Sequence, residues 1–180
     1  MVLGEDWAYF YVMKAGSTTL LHALREKGEY RHWTFPEIPR NRIKPLHFTV
    51  VRNPYARAVS LWAQNYRTLK FEEFCRKRLR TGDHPKNKWM FWDQHRWLSH
   101  FVIDKILHLE NIEEELKPIV GKVNLPMLNK TDHEPWIELM SHEAVNIINE
   151  WAKNDFQYGY DILQSETGMA YRQSKRVTRR

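Results

Sequence analysis

Phe10-Tyr11-Val12-Met13-Lys14-Ala15-Gly16-Ser17-Thr18-Thr19-Leu20-Leu21 reads as the end of an apolar strand, a tight turn and the start of a helix. Trp7 to Met13 is almost continuously apolar, the pattern of a strand covered on both faces. Gly16 allows a turn that a Cβ would hinder. Ser17, Thr18 or Thr19 is expected to cap the helix, with Leu20, Leu21 and Leu24 as its inward stripe. A strand–turn–helix junction gathers backbone N–H groups and the positive helix end at one spot. Lys14 adds a full charge there, so a phosphate or sulfate group is the expected guest. The bland alternative is an ordinary strand–helix turn with a solvated lysine. The loop is not a Walker A sequence, because Lys14 precedes the only glycine of the turn. A nucleotide kinase therefore loses its main support.

Composition bounds the rest. The 180 residues suffice for one domain with a sizeable core. Hydrophobic content of 42% and charged content of 28% mark a globular chain rather than a disordered one. Cys75 is the only cysteine, so no disulfide can form within the chain, which suits a reducing compartment. No apolar run approaches the length of a membrane span, and no leader-like segment opens the chain. A soluble, cytoplasmic protein without a membrane partner is expected. The net charge of +6, with nine histidines besides, favours anionic ligands. It also raises a second reading, a basic aromatic nucleic-acid binder, but no recognised nucleic-acid module is present and the basic residues are spread out. No H-E-x-x-H or C-x-x-C spacing occurs, so no metal site is expected.

The periodicity predicts alternating strands and helices. A first helix runs from Thr18 to Lys27 and stops at Gly28. Glu29 to Pro45 reads as a long surface loop. His47 to Val51 is a second strand, ended by Arg52, with Asn53 as cap and Pro54 at the first position of the next helix. Phe71 to Leu79 predicts a helix, and Ile103 to Leu109 a third strand. Asn111 is expected to cap a helix from Ile112 that ends at Pro118, and Ser141 to start a last helix. The fold class is therefore α/β, a single domain with a mainly parallel sheet flanked by helices. In such a sheet ligands sit beyond the carboxyl ends of the strands, so Lys14 and Arg52 are expected to face one crevice. Ser60 follows Arg52 by eight positions, two turns into its helix, where its hydroxyl could complete a second anion site.

At these two motifs the chain resembles the sulfotransferases that use 3′-phosphoadenosine 5′-phosphosulfate (PAPS). Lys14-Ala15-Gly16-Ser17-Thr18-Thr19-Leu20 looks like their 5′-phosphosulfate loop, and Val51-Arg52-Asn53-Pro54-Tyr55-Ala56-Arg57-Ala58-Val59-Ser60 like their 3′-phosphate segment. Ile106 to Ile112, Leu125 to Thr131 and Asp155 to Asp161 are similar to stretches of the carbohydrate branch of Golgi type, which includes the 2-O and 4-O enzymes. The matches run from Phe10 to Asp161 in family order. The resemblance implies a P-loop-like sulfotransferase domain over 1–163 and a basic tail over 164–180. It implies PAPS as donor and a hydroxyl acceptor, with a carbohydrate as the expected one. It gives Lys14 a catalytic role at the leaving phosphate, with Ala15, Gly16, Ser17, Thr18 and Thr19 around the 5′ end. Arg52 and Ser60 would hold the 3′-phosphate. His32 is assigned as the catalytic base that activates the acceptor, with Glu37 as its main rival and His47 read as structural. Gln94 stands where the family often has a polar contact near the acceptor. Trp89, Trp92 and Trp97 are candidates for an acceptor groove, although core packing is their commoner use. Unlike its Golgi relatives, the chain shows neither membrane anchor nor cysteine pairs and begins just before its first strand, which leads to the expectation of a compact cytosolic enzyme of microbial or viral type.

Overall fold

Short apolar segments pair into a five-stranded sheet in order β3-β1-β2-β4-β5. The strands are β1 (Val2–Leu3), β2 (Trp7–Phe10), β3 (Glu29–Tyr30), β4 (Leu46–Val51) and β5 (Lys105–His108). The helices are α1 (Ser17–Arg25), α2 (Pro54–Asn65), α3 (Phe71–Phe74), α4 (Gln94–Leu98), α5 (Ile112–Val120) and α6 (His142–Trp151). This computed structural model describes residues 1–31, 43–81, 88–126 and 135–164. The class is α/β, but the expectation of a mainly parallel sheet needs correction. β2–β4 and β4–β5 are parallel, whereas β1 pairs antiparallel with both β2 and β3, so the sheet is mixed. The two antiparallel additions are two residues long each, too short to leave a periodicity in the sequence.

The chain divides into two compact units. One comprises Met1–Arg52 and Gln94–Lys130, the other Asn53–Asp93 and Thr131–Arg180. The first holds the sheet. One of its cores unites Trp7, Tyr9, Phe48, Val50 and Leu107 with Leu20 and Leu24 of α1 and Leu116 of α5. Tyr9 stacks on Phe48 at 5.3 Å. A second, smaller cluster joins Ala8 and Phe10 to Phe101 and Ile103. Burial on both faces explains why all four residues of β2 are apolar. Gly28 does not end α1, which stops three residues earlier. It packs on β1 instead, where a Cβ would lie 2.4 Å from the Leu3 carbonyl oxygen. Pro118 does not end α5 either. The helix continues to Val120 and closes at Gly121, whose φ of 75° suits a glycine.

The second unit is helical among its described residues. Tyr55, Leu61, Phe74, Val145, Ile148 and Phe156 lie in its core. Asn53 caps α2 as expected, accepting from the N–H of Tyr55 at 3.0 Å and of Ala56 at 3.3 Å, with Pro54 at the first helical position. Ser141 caps α6 through the N–H of Ala144 at 3.1 Å. The helix expected over Phe71 to Leu79 is α3 followed by a π-helical turn at Cys75–Leu79, closed by the Arg80 N–H on the Cys75 carbonyl. Arg57, fully buried, donates to the Trp92 carbonyl at 2.7 Å and lies 5.1 Å from the Trp151 ring centroid. A buried guanidinium needs such partners, and here an aromatic face and a carbonyl supply them. Among the described residues no helix is long and apolar enough to cross a membrane.

The Asn53 cap gives a direct test of this local chemistry. Asn53→Ala should lower the unfolding free energy by about 1 kcal/mol in a denaturant titration, and Asn53→Asp by much less. Equal losses in the two variants would show that the cap is not what the side chain contributes.

Candidate functional site

Parallel pairing carries the ends of β2, β4 and β5 to one edge of the sheet. The register places Phe10 beside Thr49 and Val51 beside His108. Thr49 tightens this edge by donating from its buried hydroxyl to the Phe10 carbonyl at 2.7 Å. After β2 the chain leaves the sheet and turns at Met13 to Gly16 into α1. Two residues of that turn are left-handed: Lys14 at φ 68° and Gly16 at φ 73°. For Gly16 this is free of steric cost, and a Cβ there would also come within 2.4 Å of Leu109 Cδ1. For Lys14 the same conformation costs about 1–2 kcal/mol. Strain of this kind in a non-glycine residue points towards a functional site.

The expectation that Ser17, Thr18 or Thr19 caps α1 is not met. Gly16 occupies the cap position and has no side chain to offer, and α1 begins at Ser17 itself. The first turn also contains no acidic residue. The positive helix end thus lacks both a capping side chain and a compensating carboxylate of its own, which suits an external anion. Thr18 is exposed, Ser17 and Thr19 are half-buried, and Ala15 is buried beneath the loop.

Arg52 meets this loop. Its Nη1 donates to the Lys14 carbonyl at 3.4 Å, long for an N–H···O bond and therefore weak. Its backbone is held far more firmly. The β4–β5 ladder ends at Val51, and one residue later the side-chain amide of Gln94 takes over. Gln94 Oε1 accepts from the Arg52 N–H at 2.8 Å, and Gln94 Nε2 donates to the Arg52 carbonyl at 2.8 Å. Gln94 is fully buried at the start of α4. Removing its amide would strand a donor and an acceptor, at about 1–3 kcal/mol each. Gln94, expected near the acceptor, grips the backbone of the residue that follows β4.

His47 is committed to the fold. Its ring is buried, with Nδ1 2.8 Å from the Val102 carbonyl, while Nε2 accepts from the N–H groups of Ile43 at 3.1 Å and Lys44 at 3.2 Å. These partners fix the neutral tautomer with its proton on Nδ1 and use the Nε2 lone pair, so the ring is no proton acceptor for a substrate. Asp104 holds the same residue by accepting its backbone N–H at 2.7 Å. Cys75 offers no nucleophile: it is buried in the second unit, and burial pushes its thiol well up. Ser60 lies on α2 in the second unit and is largely buried. Trp97 is buried in the first unit. In the second, Trp89 is 40% exposed and lies 6.4 Å from Trp92, ring to ring. His32 and Glu37 lie outside the described residues, as does the tail from 165 onwards.

One pair at the strand ends was not anticipated. Glu115 accepts the His108 backbone N–H at 2.8 Å and approaches its ring Nδ1 at 3.2 Å. It ties the end of β5 to the first turn of α5, beside the Leu109 that packs against Gly16. The only signal in the sequence is an acidic first turn after a strand-end histidine. Asn111, expected to cap α5, makes no side-chain cap. The comparisons add no relative: no protein-family model, no curated protein and no solved structure matches this chain.

The two left-handed residues generate a paired test. Lys14→Gly should be more stable than Lys14→Ala by about 1 kcal/mol, since only the first relieves φ 68°. Gly16→Ala should cost at least about 1 kcal/mol, and less in a Leu109→Ala background, where the clashing methyl group is gone. Thermal or denaturant unfolding reads both. Additive losses at 16 and 109 would refute the contact.

Proposed function

We propose that the protein is a sulfotransferase that moves the sulfuryl group of PAPS to an acceptor hydroxyl, with a carbohydrate as the acceptor class. One observation carries the reading: Arg52 Nη1 lies 3.4 Å from the carbonyl of Lys14, on the loop that opens α1. The arginine side chain, the backbone of the loop that carries Lys14 and a helix start without acid in its first turn thus meet at one sheet edge, in the order of the two motifs that resemble this family. The donor set suits a ligand that carries several anionic groups and no metal of its own.

The roles follow from where charge changes. The acceptor oxygen attacks sulfur, the bond from sulfur to the bridging phosphate oxygen breaks, and negative charge grows on the departing phosphate. Lys14 and the N–H groups around Gly16 meet that growing charge, aided by the hydroxyls of Ser17, Thr18 and Thr19. Arg52, with Ser60, holds the 3′-phosphate, whose charge stays constant. The acceptor proton goes to His32, for which Glu37 is the competing base.

Two measurements test this. Adenosine 3′,5′-bisphosphate, the donor's product, should raise the melting temperature, with AMP giving a much smaller shift. A ligand at a hundred times its Kd adds about 2.7 kcal/mol to native stability. Equal shifts from both nucleotides would strip Arg52 and Ser60 of their role. In turnover assays across carbohydrate acceptors, Lys14→Ala and His32→Ala should each lower kcat, His32→Ala by roughly a hundredfold or more, with donor binding nearly intact. Arg52→Ala should instead weaken donor binding. Full activity in His32→Ala beside an inactive Glu37→Gln would move the base to the carboxylate.

A further inference from the structure

We propose that Gln94 is a positioning residue that sets the protein's selectivity for a nucleotide carrying a 3′-phosphate, an inference that rests on the function proposed above. Arg52 is the first residue beyond the β4–β5 ladder, where a strand would ordinarily begin to splay. Gln94 replaces the missing ladder by bracketing one residue through both of its backbone groups, at 2.8 Å to the N–H and 2.8 Å to the carbonyl. A primary amide does this with one side chain, because it carries a donor and an acceptor on the same planar group without needing a proton from solvent. The Gln94 side chain that makes both bonds is fully buried, which limits competition from water at its end of each.

The consequence is directional. Fixing the N–H and the carbonyl of Arg52 fixes the φ and ψ that aim its Cβ. The side chain then starts from a fixed Cβ direction, and the bond from its Nη1 to the Lys14 carbonyl, at 3.4 Å, is a weak one. A preorganised arginine holds an anion more tightly than one that must be ordered on binding. Groups bound elsewhere on the nucleotide gain nothing from this bracket. Gln94 therefore acts on the preference between adenosine 3′,5′-bisphosphate and AMP rather than on nucleotide affinity as a whole.

The experiment measures the Kd of both nucleotides by calorimetry for the wild-type chain, Gln94→Met and Gln94→Glu. In Gln94→Met, close in shape but without either bond, the ratio of the two Kd values should fall about tenfold or more, while the Kd for AMP stays within about twofold. In Gln94→Glu one oxygen still accepts from the Arg52 N–H, but the other faces the Arg52 carbonyl. Its ratio should fall at neutral pH and recover at acid pH, where the protonated carboxyl donates again. That recovery keeps the test open should the Met variant fail to fold, and a purely structural role would not produce it. A wild-type ratio retained by a folded Gln94→Met, or a pH-independent ratio in Gln94→Glu, overturns the inference. A wild-type protein that fails to distinguish the two nucleotides overturns the parent reading first, and this one with it.

Discussion

Everything at the candidate site depends on β4 running parallel to both of its neighbours. Parallel pairing forces the ends of β2, β4 and β5 to the same edge, whatever the loops do afterwards. The side chains that enforce it are buried on both faces: Phe48 and Val50 against α1 and α5, and Thr49 by a hydroxyl bond to Phe10. His47 and Asp104 hold the opposite end of the strand, through the bond from the His47 N–H to the Asp104 carboxylate. A polar residue buried in a strand is costly unless satisfied, and the partners of His47 turn that cost into register. A one-residue slip of β4 would break all of these bonds and expose its apolar face.

On the α1 side of the edge so formed, positive groups stand without an acidic residue in the first helical turn. Lys14 stands in a strained left-handed turn, and the first turn of α1 carries no carboxylate. Acidic residues are used elsewhere for local order: Glu115 on the end of β5, and Glu143 and Glu72 on Arg76 in the second unit. The contact between Gly16 and Leu109 joins the loop to the strand end that Glu115 secures. The turn is thus braced by packing against Leu109.

What was legible in the sequence was local. Asn53 and Pro54 announce the start of α2 because a cap and a fixed φ act within a few residues. Ser141 does the same for α6. The apolar runs of β2 and β4 show themselves because both faces are buried. What was hidden depends on partners far along the chain. β1 and β3 exist only because they pair with each other and with β2, so two-residue segments carry no pattern of their own. The mixed sheet follows from them. Gln94 sits 42 positions from Arg52 in a stretch of tryptophan, histidine and arginine, and nothing local marks it as a backbone clamp. Three hydroxyl residues at the start of α1 suggested a side-chain cap, yet the glycine took that position.

Backbone and head group are held differently at Arg52. Its backbone N–H and carbonyl are both gripped by a buried amide, with bond lengths near the ideal. Its guanidinium makes a long contact with the Lys14 carbonyl, on the loop that opens α1. If the head group were locked as firmly as the backbone, a phosphate would have to break strong bonds before gaining any. If the backbone were as loose as the head group, the ordering entropy of the whole residue would fall on the binding step. The grip of Gln94 on the Arg52 backbone avoids the second of these costs.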